Sequence, residues 1–196
     1  MNSSMMNVID LLDAARELQD FCDKHDWQSC FIGGIAVQRW SQARVTRDVD
    51  LTLLTGFGQE APFVEGLLAH YSPRIANAAQ FALRSRVLLL NSPSGIGIDI
   101  SLGGLPFEHL VIQRATPFEF APGLDLRTCS AEDLMVMKLF ASRAIDIRDA
   151  KGIAVRHEKA LDWRYVEEQL TPLAEAKEEP AILREFARIR TLGAML

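Results

Sequence analysis

Every strand-like segment of this 196-residue chain lies before residue 129, and everything after it repeats at helical spacing. Strands first and helices last predict an α+β fold, not a run of alternating βαβ units. The strand candidates are Cys30-Phe31-Ile32, the alternation Val49, Leu51, Leu53, and the segments Leu83 to Leu90 and Ile96 to Leu102. Turn residues Asn91-Ser-Pro-Ser-Gly95 join the last two, which predicts an antiparallel hairpin. Extended segments are expected around Phe118 and Leu124. Val8, Leu11, Leu12, Ala15, Leu18 and Cys22 share one helical face, and further helices are expected over 35–40, 60–71 and 106–114. Ser130-Ala-Glu-Asp133 is a capping pattern ahead of a helix over about 131–144, and helices follow over 147–157, 162–178 and 181–192. The expectation is a single domain over 1–196: a mixed sheet with flanking helices over about 26–128, and a helical part over about 129–196.

Composition narrows the function classes. The net charge is −5, and counterion release on a duplex needs clustered Lys and Arg, so a general nucleic-acid binder is not expected. Positive charge concentrates in 31–57 and 74–157, which permits a local basic surface near a site. No apolar run approaches the roughly 20 residues of a membrane helix. The first residues lack the basic start of a secretory signal, so the expected compartment is the cytoplasm. Cys22, Cys30 and Cys129 have no Cys-x-x-Cys spacing and read as buried thiols.

The chemistry concentrates on acids. Asp48 and Asp50 flank Val49, and strand residues two apart point to the same side of a sheet. Asp99 stands opposite the apolar alternation Ile96, Ile98, Ile100, Leu102, so a second strand presents a third carboxylate. Converging carboxylates repel unless cations sit between them, and hard oxygen ligands suit Mg²⁺. A two-metal site is the expected use. Gly33 and Gly34 fall at a strand-to-helix turn, where backbone N–H groups are open to a phosphate. No Gly-Lys-Ser/Thr follows, so the turn is not a P-loop.

With these residues in place, the sequence resembles the nucleotidyltransferase superfamily of the polymerase-β type: Gly33-Gly34, a spacer, Asp48-Val49-Asp50 on a strand, and Asp99 on a later one. Arg44-Val-Thr-Arg-Asp-Val-Asp-Leu51 is similar to the motif of the AbiEii-type toxin family. The run Lys138-Leu-Phe-Ala-Ser-Arg143-Ala-Ile-Asp146-Ile-Arg-Asp149 is similar to the same family's lysine, arginine and paired-aspartate signature. These motifs are scattered over about 28–152. The resemblance implies that Asp48 and Asp50 hold Mg²⁺ and the NTP, that Asp99 completes the metal site and activates the acceptor hydroxyl, and that Gly33 and Gly34 contact the phosphates. It further implies that Lys138 assists the nucleotide.

Arg47, Arg44 and Thr46 stand next to the acids, and Arg47 is the preferred triphosphate contact of the three. Lys138 with Arg143 reads equally as a solvated pair. Asp146 with Asp149 reads equally as a helix start, and the sequence does not choose which of the two is functional. The expected reaction is Mg²⁺-dependent transfer of a nucleoside monophosphate from NTP to a hydroxyl. The acceptor, by resemblance, is a tRNA end, a protein or a small molecule such as an antibiotic, and the partner a cognate antitoxin. A non-catalytic antitoxin or regulatory partner of the same fold, and a sensor that binds NTP without transfer, are the rival readings.

Overall fold

The computed structural model describes residues 3–157 and 159–193. Side chains of residues 3–8 lie outside that description, Val8 of the expected first helical face among them. The chain divides into two compact units, Met1–Ile35 with Val45–Cys129, and Ala36–Arg44 with Ser130–Leu196.

The first unit holds a seven-stranded mixed sheet. Its strands are β1 (Ser29–Phe31), β2 (Asp48–Leu54), β3 (Ser72–Pro73), β4 (Val87–Asn91), β5 (Gly97–Gly103), β6 (Thr116–Ala121) and β7 (Leu124–Thr128), in the order β3-β4-β5-β2-β1-β7-β6. β2 is central. It pairs in parallel with β5 along its whole length and antiparallel with β1. β4 and β5 form the expected antiparallel pair, Val87 to Asn91 against Ser101 to Gly97. Helices α1 (Ser3–Lys24), α3 (Ala61–His70), α4 (Ala78–Ser85) and α5 (Pro106–Arg114) belong to this unit, while α2 (Gly33–Trp40) starts in it and belongs to the second unit from Ala36 on.

Alternation decides which face of the sheet is buried. Val49, Leu51 and Leu53 of β2, with Ile98, Ile100 and Leu102 of β5, are all at most 1% exposed. They share a core with Leu11, Leu18 and Cys22 of α1 and with Val64 and Leu67 of α3. Burying side chains of this size contributes roughly 1.5–3 kcal/mol each. The three cysteines are buried, as expected, and burial pushes the Cys22 thiol up to about 11.

The segment read as one strand from Leu83 is a helix and a strand. α4 runs to Ser85, Arg86 takes a left-handed φ of 58°, and β4 starts at Val87. Ala78 and Ala82, four apart, bury one face of α4, and small helix-favouring residues there outweigh the β-like appearance of Leu83. Arg86 anchors the break, bonding the Glu60 carboxylate and the carbonyls of Leu102 and Gly56. β3 was not expected either. It is a two-residue edge strand ending at Pro73, a place where a missing N–H is tolerated.

The second unit contains α6 (Ala131–Ala141), α7 (Ala144–His157), α8 (Trp163–Ala176) and α9 (Ala181–Gly193). α6 packs against the other three, burying Leu134, Met135, Val136 and Leu139. The helix expected to reach residue 144 stops at Ala141, because Ser142 takes a left-handed φ of 56° and α7 begins two residues later. At its start, Ser130 Oγ accepts the Asp133 N–H at 3.1 Å and donates to Asp133 Oδ2 at 2.7 Å. Ser130→Ala removes this N-cap and is expected to lower stability by about 1 kcal/mol, read as a shift of the urea unfolding midpoint at unchanged slope.

Candidate active site

β2 and β5 lie in parallel register with Asp50 opposite Asp99 and Asp48 opposite Gly97. Period-two alternation turns all three carboxylates away from the buried face, and one oxygen from each of Asp48, Asp50 and Asp99 lies within 4.8 Å of the others. Three hard oxygen donors at that spacing fit a divalent cation of the Mg²⁺ class.

The glycine turn is tied to the same acids. Gly33 has a φ of +52°, and a Cβ there would stand 1.9 Å from Asp50 Oδ2. A Cβ on Gly34 would stand 2.1 Å from Thr46 Oγ1. Both positions exclude any side chain. The Gly34 N–H points to Asp50 Oδ2 at 3.3 Å, and Thr46 Oγ1 donates to Asp48 Oδ1 at 3.1 Å. Gly33 and Gly34 therefore open α2 directly against Asp50, and Thr46 orients Asp48. Arg47, next to Asp48 in sequence, is exposed and makes no ion pair among the described residues.

A second group of named residues meets in the helical unit. Lys138 Nζ lies 2.9 Å from Asp146 Oδ1 and 3.1 Å from Asp149 Oδ2. Arg44 reaches Asp149 with Nε and Nη2 at 3.0 to 3.2 Å, and Arg143 Nε reaches Asp146 Oδ2 at 2.5 Å. Lys138, Asp146 and Asp149 are at most 7% exposed. Burial alone would raise the Asp146 pKa, but the hydrogen bonds from Arg143 and Lys138 outweigh it and hold that carboxyl below its ordinary value. Both aspartates thus have partners, so the pair is neither a bare helix cap nor solvated charge. Ser41 joins the cluster, donating to the Asp149 carbonyl at 3.0 Å, and a Cβ on Gly152 would stand 2.1 Å from its Oγ.

Sequence reasoning did not single out Arg74. It follows β3, and its guanidinium bonds Asp99 Oδ1. No local pattern marks it, because it reaches Asp99 only through the pairing of β3 with β4 and of β4 with β5. Arg86, within the basic stretch 74–157, is bonded to Glu60 and to carbonyls and lies over the Phe57 ring.

A strand, a Gly-Gly turn opening a helix, an Asp-x-Asp strand and a third acid on the neighbouring parallel strand define a nucleotidyltransferase. The family model "Nucleotidyl transferase AbiEii toxin, Type IV TA system" matches residues 16–157, and the chain belongs to that family. Among solved structures the chain is similar to an antigenic nucleotidyltransferase-like protein from Paracoccidioides brasiliensis. That likeness has 16% identity over 90% of this chain and 92% of that one, with a TM-score of 0.47. It is also similar to the antibiotic-resistance factor ANT(2'')-Ia, at 14% identity over 94% of this chain and 91% of that one, with a TM-score of 0.48. No curated protein matches the chain.

The lowered Asp146 pKa has a definite sign. Its ion pairs contribute fully above the ordinary carboxylate pKa, and the contribution is lost as pH falls from there through the depressed folded value. Asp146→Asn is therefore expected to flatten the fall of stability below about pH 4, seen in urea melts across pH. Lys138→Ala leaves two buried carboxylates short of a partner and is expected to cost about 3–5 kcal/mol, read in the same melts near neutral pH.

Proposed function

We propose that the protein transfers a nucleoside monophosphate from NTP to a hydroxyl of an RNA acceptor, a tRNA end, in a Mg²⁺-dependent reaction, acting in the cytoplasm as the toxin of a toxin–antitoxin pair with a cognate antitoxin. The observation that carries the catalytic part is the convergence of Asp48, Asp50 and Asp99 within 4.8 Å, beside a turn at Gly33-Gly34 that admits no side chain. The toxin role is suggested by the family to which residues 16–157 belong, and the RNA acceptor is the one we choose among those that the sequence resemblance implies.

Asp48 and Asp50 would hold the metal and, through it, the triphosphate, while Asp99 would complete the two-metal set. Bound there, Mg²⁺ supplies charge stabilisation to the entering and leaving oxygens. Gly33 and Gly34 offer backbone and helix-end dipole to the phosphates. Arg47, exposed beside Asp48, extends a guanidinium toward the triphosphate, a group whose planar donors match phosphate oxygens. The acceptor oxygen forms a bond to the α-phosphorus, the bond from that phosphorus to the bridging oxygen of the β-phosphate breaks, and pyrophosphate leaves. Asp99 takes the acceptor proton. Thr46 acts by orienting Asp48.

Lys138 assists the nucleotide only by giving up two carboxylates that already hold its ammonium. We therefore assign Lys138, Arg44, Arg143, Asp146 and Asp149 to fixing the helical unit, with the nucleotide charge met by the metal and Arg47.

The test is incorporation of labelled nucleotide from each of the four NTPs into total cellular RNA, with and without EDTA. Metal-dependent labelling of RNA is expected, and labelling of protein alone would remove the RNA acceptor. Asp48→Asn, Asp50→Asn and Asp99→Asn are each expected to reduce labelling at least about 10³-fold, the scale of losing a main electrostatic element of a site, while circular dichroism stays unchanged. Without metal, Asp48→Asn is expected to melt at or above the wild-type temperature because it relieves carboxylate repulsion.

A further inference from the structure

Arg74 sits where a cation counts most. Its backbone N–H donates to the Leu89 carbonyl at 3.0 Å, which fixes the residue beside β4. Its guanidinium runs over Gly97, where a Cβ would stand 2.6 Å from Nη1 and 3.9 Å from Asp48 Cβ. It then ends on Asp99 Oδ1. The side chain thus crosses β5 at the position that lacks a Cβ, directly across from Asp48, and holds one oxygen of the third acid. Both partners are about one-third exposed, 33% and 32%. An ion pair that open contributes little to stability, so support of the fold does not account for it.

We propose that Arg74 is a positioning residue that holds Asp99 until nucleotide arrives and then transfers its guanidinium to the nucleotide's phosphates, so that metal and NTP bind as one event. The proposal rests on the metal-dependent reading above. Asp99 Oδ1 cannot keep a guanidinium and take a divalent cation at the same time without setting two positive charges against each other. A triphosphate offers the released guanidinium several anionic oxygens in bidentate geometry, a better partner than one exposed carboxylate. The exchange makes the coupling reciprocal: phosphate draws Arg74 away and raises metal affinity, and metal frees Arg74 and raises phosphate affinity. Metal alone must first displace Arg74 and binds weakly.

The experiment measures binding rather than turnover, on the full chain. Free Mn²⁺ is followed by electron paramagnetic resonance, and inorganic tripolyphosphate by calorimetry without metal, for wild type, Arg74→Ala, Arg74→Gln and Asp50→Asn. Both Arg74 variants are expected to bind Mn²⁺ alone about tenfold more tightly than wild type, equivalent to about 1.4 kcal/mol, and to bind tripolyphosphate about tenfold more weakly. Opposite movement of the two affinities is something a merely structural arginine does not produce. Arg74→Gln, which keeps a polar side chain with an N–H donor and removes the charge, carries the test should Arg74→Ala fail to fold. Unchanged or weaker Mn²⁺ binding in the folded variant, or unchanged tripolyphosphate binding, overturns the proposal. Asp50→Asn separates the two levels. If it leaves Mn²⁺ binding untouched, the metal reading fails and takes this proposal with it; if it abolishes binding while the Arg74 variants match wild type, the role of Arg74 alone is wrong.

Discussion

Like charges at the acid cluster are held together by the parallel pairing of β2 with β5. Seven residues of each strand run in register, so Asp50 must face Asp99 while Val49, Leu51, Leu53, Ile98, Ile100 and Leu102 all turn into the core. A slip of one residue would turn the three apolar side chains of the slipped strand to the open face and its acid or acids into the core. Two carboxylates about 5 Å apart oppose the arrangement by roughly 1–3 kcal/mol, depending on how much water screens them. Each apolar side chain favours it by roughly 1.5–3 kcal/mol. Six such side chains stand against three carboxylate pairs, so burial on one face of the sheet wins and fixes a repulsive cluster on the other. Three carboxylate oxygens are thereby held within 4.8 Å of one another, a spacing that could hold a metal ion.

The helical unit solves the opposite problem. Asp146 and Asp149 are buried, where an uncompensated carboxylate would be far more costly than at the open acid cluster. Three cations meet them: Lys138 between both, Arg143 on Asp146 and Arg44 on Asp149. Such a cluster adds little net stability over apolar packing, yet losing one member is severe, since the charges left behind have no water to replace it. In the helical unit three cations meet two buried aspartates, whereas at the acid cluster one exposed guanidinium meets three carboxylates, so the two units balance aspartate charge differently.

How much of this was readable in advance follows the range of the interactions. Asp48, Asp50 and Asp99 were legible because period-two alternation is a local signal, and Gly33-Gly34 because two glycines after an apolar run mark a strand-to-helix turn. The Lys138 to Asp149 motif was visible as a pattern, but not as a buried cluster, since its third cation, Arg44, comes from about a hundred residues earlier and residues 36–44 belong with the C-terminal helices. The end of α4 was misread because Leu83 and the run from Val87 look like one strand, and only the burial of Ala78 and Ala82 shows the helical period. Arg74 carried no local mark, being one of 21 basic residues and gaining its place from the pairing of an edge strand two residues long.

Close approach, more than turn geometry, unites the glycines around the acids. Gly33 leaves room for the Asp50 carboxylate, Gly34 for the Thr46 hydroxyl and Gly97 for the Arg74 guanidinium. In each case a polar side chain lies where a Cβ would stand, so the backbone itself forms the wall of the cluster. Side chains packed against backbone have few other rotamers to visit, which fixes the donors before any ligand arrives and lowers the ordering cost of binding. Arg74 differs from the other two in being long, charged and one-third exposed. It is the group of the three that can leave its glycine and swing to a new partner without disturbing the strands beneath.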